Sequence, residues 1–181
     1  MGRDGVFDGL DAAISWHPGP ITKMGLYSYN ANIQLYYKFH GISAHAGGSP
    51  WNGINALYAA QQGLGAVNAI RETFREADLI RVHPIVTHGG DMVNAIPEKA
   101  VLESYVRGKT FDAIVSANKK VNRALIGGAL SLGTNIDITD IPGYAPLNND
   151  KGMIALTLEA AAEVIPEYQI TEGHSFGSGS T

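Results

Sequence analysis

The sequence predicts an α+β fold, a βαββαβ sandwich of the ferredoxin-like type. Three observations predict it: two long segments of helical period, a strand-like segment on either side of each, and strict alternation through AVLESYVR at 100–107. The first strand is read at Asn32–His40 (NIQLYYKFH), whose aromatic and branched residues suit a half-buried pleat. GISAHAGGSP then breaks it with glycine and serine. Ser49 as cap and Pro50 at the first helical position open a helix running to Phe74, with Ile54, Leu57, Leu64, Val67 and Ile70 on one face. Gly63 and Gly65 inside it either weaken the helix or mark close packing against a neighbour. Leu79–Val86 (LIRVHPIV) reads as a strand whose Pro84 belongs at an edge or a bulge. THGGDMVNAIP connects it to Ala100–Arg107, where Val101, Glu103, Tyr105 and Arg107 share the face opposite Leu102, Ser104 and Val106. Thr110 caps a second helix from Phe111 to about Leu130, and Asn135–Ile141 (NIDITDI) closes the order as a strand.

The sandwich is expected over 28–147, flanked by pieces of a second unit at 1–27 and 148–181. In the first flank, Asp11–Trp16 (DAAISW) reads as one buried strand that meets His17 and Pro18 at its rim, without an obvious sequential partner. In the second, Gly152–Ile165 reads as a helix stopped by Pro166; both its faces are largely apolar, so it wants burial on more than one side. The closing EGHSFGSGST reads as a loop or frayed end.

Composition narrows the function. A formal net charge of -4 over 181 residues offers no electrostatic footprint for nucleic acid or an anionic membrane. With no cysteine there is neither a disulfide framework nor a thiolate metal site, so any metal must sit on histidine and carboxylate. The acidic opening MGRDGVFDGLD lacks the basic and apolar regions of a signal peptide, and no run approaches a membrane span, which makes the cytoplasm the default location.

Four residues stand out for chemistry. His17 lies at the expected end of a buried strand, where α/β enzymes place site residues, although no HExxH pair or histidine–aspartate cluster accompanies it. His45 sits among small residues in SAHAGGSP, with room for a ligand or another subunit; the plainer reading is a loop histidine that arranges the helix entry. Gly47 and Gly48 do not make a phosphate loop, since GxxxxGK[ST] and GxGxxG are both absent. Asn94 can complete a turn and Arg107 can be a solvated sheet residue. On a shared face they would recognise an acidic group, through an amide and a guanidinium fork.

The ordered set WHPG, FHGISAHAGGSPWNGINAL and GGDMVNAIPEKAVLESYVRG resembles the M20 family of metallopeptidases and amidohydrolases, and within it the branch that cleaves aminobenzoyl-glutamate. That resemblance implies a catalytic α/β domain holding two divalent ions, zinc or manganese, interrupted by a ferredoxin-like dimerisation or lid domain. It implies a homodimer, a small acyl-amino-acid substrate, and in this branch a related A-type subunit. His45 matches the histidine that reaches the partner subunit's scissile group, Asn94 and Arg107 match residues that hold the substrate or its carboxylate, and His17 matches one metal ligand. The family's early histidine–aspartate pair, its glutamate base with the neighbouring acidic ligand and its final histidine have no equivalents here; His174 stands in a segment that precedes that last ligand. The expectation is therefore a portion of a longer enzyme, inactive by itself. A non-catalytic dimerisation or small-ligand-binding module is the alternative.

Overall fold

The structure, a computed structural model, describes residues 2–15, 25–164 and 171–175, with the side chains of 25–28 and 171–175 left aside. The elements run β1 (Gly25–Ser28), β2 (Ala31–His40), α1 (Ala56–Ala69), β3 (Arg81–Val82), β4 (Ile85–His88), β5 (Lys99–Gly108), α2 (Phe111–Leu132), β6 (Asn135–Pro142), α3 (Lys151–Val164) and β7 (Thr171–Ser175). β2 to β6 form one mixed α/β unit around an open sheet of order β3-β5-β2-β6, with β4 also paired to β5.

The central pair β2–β5 is antiparallel in unbroken register from Ala31↔Gly108 to His40↔Lys99. Period-two alternation sends Leu35, Tyr37 and Phe39 to the same face as Leu102 and Val106, and all five are buried. α1 and α2 cover that face with Ala59, Ala60, Val67, Ile114, Val121 and Leu125. Burial of each large side chain contributes about 1.5–3 kcal/mol. The helices cross where glycine permits it: a Cβ on Gly128 would lie 2.3 Å from the Gly63 nitrogen, and one on Gly63 would lie 2.8 Å from a Leu125 methyl. Gly63 is thus a packing residue, whereas Gly65 has nothing within 4 Å. Tyr37 ties β2 to α2 by donating to Asn122 Oδ1 at 2.5 Å.

Several expected boundaries move. Pro50 opens only a 3₁₀ turn, Pro50–Asn52, and Ser49 makes no side-chain cap. Asn55 caps α1 instead, accepting from the Tyr58 amide at 3.0 Å. The cause is local pairing: Ile42 and Ile54 exchange backbone bonds of 2.9 Å, which holds this stretch extended. A side chain on Gly41 would strike the Ile54 carbonyl at 2.0 Å, so the exchange needs glycine there. α1 ends at Ala69 rather than Phe74, and a 3₁₀ turn follows at Arg71–Thr73. The strand expected over Leu79–Val86 is split in two: Leu79 is left-handed at φ 50, and Pro84, with no N–H to give, separates β3 from β4. β4 also carries a register shift between Val86 and His88.

The flanks depart further. Residues 11–15 form no strand and are exposed, Ile14 at 70%, so the buried strand expected at Asp11–Trp16 is not present over them. Its apolar run is too short to define a pleat without a neighbour. Among the described residues of that flank the strand is β1, and it pairs in parallel with β7, which occupies part of the stretch expected to be a loop. TEGHS carries no run of branched or aromatic residues, so only its non-local partner makes it a strand. α3 matches the expected helix, yet none of its residues is buried.

Candidate functional site

His45 follows the end of β2 in a loop stitched to the segment before β5. His45 bridges Ala95, the Ala46 amide donates to the Asn94 carbonyl at 2.8 Å, and the Ile96 amide donates to the Ala44 carbonyl at 2.9 Å. The β2–β5 ladder therefore continues irregularly past the sheet, and it carries His45 and Asn94 together, both exposed. The loop then curls back so that the Gly48 amide donates to His45 Nδ1 at 2.8 Å. An amide can only donate, so Nδ1 must present its lone pair, and the proton of the neutral ring lies on Nε2. Gly48 makes this curl feasible, since a Cβ there would sit 3.2 Å from Nδ1. The outward imidazole atom is thus an oriented N–H donor.

Arg107 occupies the other end. It is 5% exposed and lies across from Asn32 on β2 and Arg81 on β3. Its guanidinium carbon stands 5.3 Å over the Tyr105 ring, and Nη1 donates to the Tyr144 hydroxyl at 3.0 Å. Tyr144 is brought there by the chain leaving β6: the Gly143 amide donates to the Asn32 carbonyl at 3.0 Å, and the Asn32 amide to the Tyr144 carbonyl at 3.1 Å. Asn32 is buried, and its Oδ1 has no hydrogen-bond partner among the described residues. His83 meets Tyr105 edge-on at 5.5 Å, and burial first, then Arg107 and Arg71, hold its pKa below the ordinary 6.5. Tyr144, Asn32 and His83 were not read from the sequence. Strand register and the path of the chain leaving β6 place them around Arg107, and periodicity carries neither.

Lys99 and Arg107 bound a strand segment about 27 Å long at 3.4 Å per residue, and Asn94 precedes Lys99. One chain therefore does not bring Asn94 and Arg107 onto a common small ligand. Beside the His45 loop lies a groove of about 430 Å³, whose walls include Leu57, Tyr58, Met92, Val93 and Ile96. Met92, Val93 and Tyr58 are 64%, 104% and 59% exposed, which makes its rim unusually apolar.

His17 lies outside the described residues. Among the described residues no group of three or more histidine, aspartate or glutamate side chains could hold a metal ion. That donor set does not fit a divalent ion, which needs several converging ligands. Among them, too, no helix is long and apolar enough to cross a membrane.

A family model described as the peptidase dimerisation domain matches residues 29–129, the stretch from the start of β2 to the last turn of α2. The chain belongs to the M20 peptidase dimerisation-domain family. It is 33% identical over 138 residues to the B-type subunit of the Escherichia coli p-aminobenzoyl-glutamate hydrolase, a match covering 76% of this chain and 28% of that protein. It is 30% identical to an Xaa-Arg dipeptidase of Mus musculus, covering 74% of this chain and 30% of the relative. The aminobenzoyl-glutamate utilization protein of Klebsiella pneumoniae shares the fold at a TM-score of 0.66 and 22% identity, with 85% of this chain and 40% of that one covered. The M20 chain spans less than a third of the length of the two curated relatives, 28% and 30%.

Proposed function

We propose that this M20 chain is the dimerisation and lid portion of a metal-dependent amidohydrolase that cleaves an N-acyl amino acid, with aminobenzoyl-glutamate the first substrate to test. The observation that carries the reading is the separation of its two polar ends. His45 and Asn94 stand at one end of the β2–β5 ladder and Arg107 at the other, roughly 27 Å of strand away. A small acyl amino acid cannot span that gap, but two copies related by a two-fold axis can bring the His45 end of one to the Arg107 end of the other. The name of the matched family and the apolar rim of Tyr58, Met92 and Val93 beside His45 support such pairing. An A-type chain in place of the second copy is the alternative partner.

In the paired site the Arg107 fork holds the ligand carboxylate, and Tyr105 and Tyr144 fix the fork's plane. His45 of the partner copy directs Nε2–H at the oxyanion that develops as the amide carbonyl is attacked, and Asn94 beside it supplies a second donor. The divalent ions, zinc or manganese, and the base belong to a separate catalytic portion, to which His17 contributes one ligand. The flanks at 1–27 and 148–181 are pieces of that portion. Two features support this: a two-stranded parallel pair, β1–β7, is not a self-sufficient sheet, and α3 has apolar residues with no burial. The unit between them, 28–147, is the ferredoxin-like domain.

Mixing two defective chains tests the shared site. A site built from both copies is lost in pure His45→Ala and in pure Arg107→Ala, whereas an equal mixture regains about a quarter of wild-type ligand sites, one per mixed dimer. No recovery on mixing, with both variants folded and dimeric, would show that each chain carries its own site.

A further inference from the structure

Arg107 does not stand alone on the open face of the sheet. The β3–β5 register sets Arg81 directly opposite it, so both side chains leave the same face with Cβ atoms about 5 Å apart. Like charges placed directly opposite across two strands destabilise the pair. Nothing internal relieves this for Arg81: it is exposed, its Nη1 donates to the neighbouring Ile80 carbonyl at 2.9 Å, and among the described residues no carboxylate pairs with it. More positive charge converges from a third element. Arg71, in the turn after α1, donates to the carbonyl of Val82, the residue next to Arg81, at 3.0 Å. His83, next on that face, reports the field, since Arg107 and Arg71 both add to the burial that lowers its pKa. The two guanidiniums also differ in a useful way: Arg107 is buried against aromatic rings, while Arg81 lies on an edge strand with room to move.

We propose that Arg81 is a specificity-determining residue of the Arg107 site, pairing with the side-chain carboxylate of an acidic acyl amino acid whose α-carboxylate is held by Arg107. The inference rests on the carboxylate-binding reading of Arg107 and adds the second charge. A dicarboxylate gives Arg81 an ionic partner and places negative charge between the two guanidiniums. A neutral ligand leaves their repulsion in place, and a basic one adds to it.

Calorimetric titration of this chain with N-acetyl-glutamate and N-acetyl-glutamine separates the two carboxylates. The wild type is expected to prefer the glutamate compound by about tenfold. Arg81→Gln abolishes that preference while leaving N-acetyl-glutamine affinity within about twofold, and Arg81→Lys restores part of it. In the wild type, saturation with N-acetyl-glutamate raises the His83 pKa, read from its imidazole proton resonances, because the ligand's charge offsets that of the arginines. An Arg81→Gln chain that keeps the glutamate preference, or loses affinity for both compounds equally, overturns the proposal. Arg107→Gln distinguishes the underlying reading: loss of both ligands upholds the α-carboxylate role whatever Arg81 does. Unchanged binding of both, or no binding of either to the wild type, removes that role and the Arg81 proposal with it.

Discussion

At the Arg107 end, one titrating group responds to its neighbours in a measurable direction. Burial, Arg107 and Arg71 all disfavour the His83 imidazolium. A histidine whose folded pKa is depressed takes its proton later than in the unfolded chain, so its contribution to stability is present above the unfolded value and declines as pH falls. His83 is therefore expected to titrate below 6.5 in the folded chain, and Arg107→Gln to move it back toward 6.5, as followed by proton resonance. No movement would mean that burial and Arg71 set the shift without Arg107. His45, Asn94 and Arg107 stand in local motifs, which is what made them candidates in the sequence. The Nδ1 lone pair of His45 was not legible there, since it depends on which way the Gly48 amide points.

Each helix owes its position to a few identifiable atoms. Thr110 accepts from the Ala113 amide at 3.2 Å, as the threonine just ahead of an apolar period led one to expect. Thr110→Ala should lower stability by about 1 kcal/mol in a urea melt, with no change in slope. The α1–α2 crossing is more demanding. Gly128→Ala would press a methyl within 2.6 Å of the Ala59 carbonyl, and no small side-chain adjustment relieves a backbone contact. Its expected cost is about 3 kcal/mol, the upper part of the range for overpacking. Gly127→Ala, with nothing within 4 Å of its Cβ, should be neutral or stabilising in the same melt. Neighbouring glycines in one sequence thus have opposite sensitivities. β3 and β4 show a comparable limit, because LIRVHPIV has the composition of one strand and Pro84 divides it.

For the molecule as a whole, the proposed division of labour puts the divalent ions and the base in a separate catalytic portion, so no hydrolysis by this chain alone is expected. In that proposal His45 is an oriented donor and Arg107 a carboxylate clamp, while the metal ligands and the base lie elsewhere, and a positioned base is worth about 10²–10⁴ in rate. A symmetric second copy brings the same set of groups and repairs neither gap. Purified chain with zinc or manganese, assayed on aminobenzoyl-glutamate with metal occupancy measured, should show no metal-dependent turnover. Turnover lost on His45→Ala substitution would mean that the catalytic groups have been misplaced. Light scattering over a concentration series should meanwhile show a dimer; a strict monomer would remove the partner role of His45.

Apart from the division of Leu79–Val86 at Pro84, the sequence by itself determined the strand and helix order from Asn32 to Ile141, because hydrophobic period, capping threonine and alternation are properties of contiguous residues. It also determined which residues of Ala100–Arg107 share a face, since a pleat alternates without regard to its partners. Register, non-local pairing and distance were settled by the fold. Asn32 and Arg81 came to flank Arg107 only once three strands were aligned, and TEGHS became a strand only beside β1. The separation of Asn94 from Arg107 has the same origin. Thirteen positions apart in sequence, they could be neighbours across a tight turn or stand at opposite ends of an extended strand. The unbroken pairing of Lys99–Gly108 with β2 selects the second arrangement, because a ladder fully bonded along its length cannot fold back on itself.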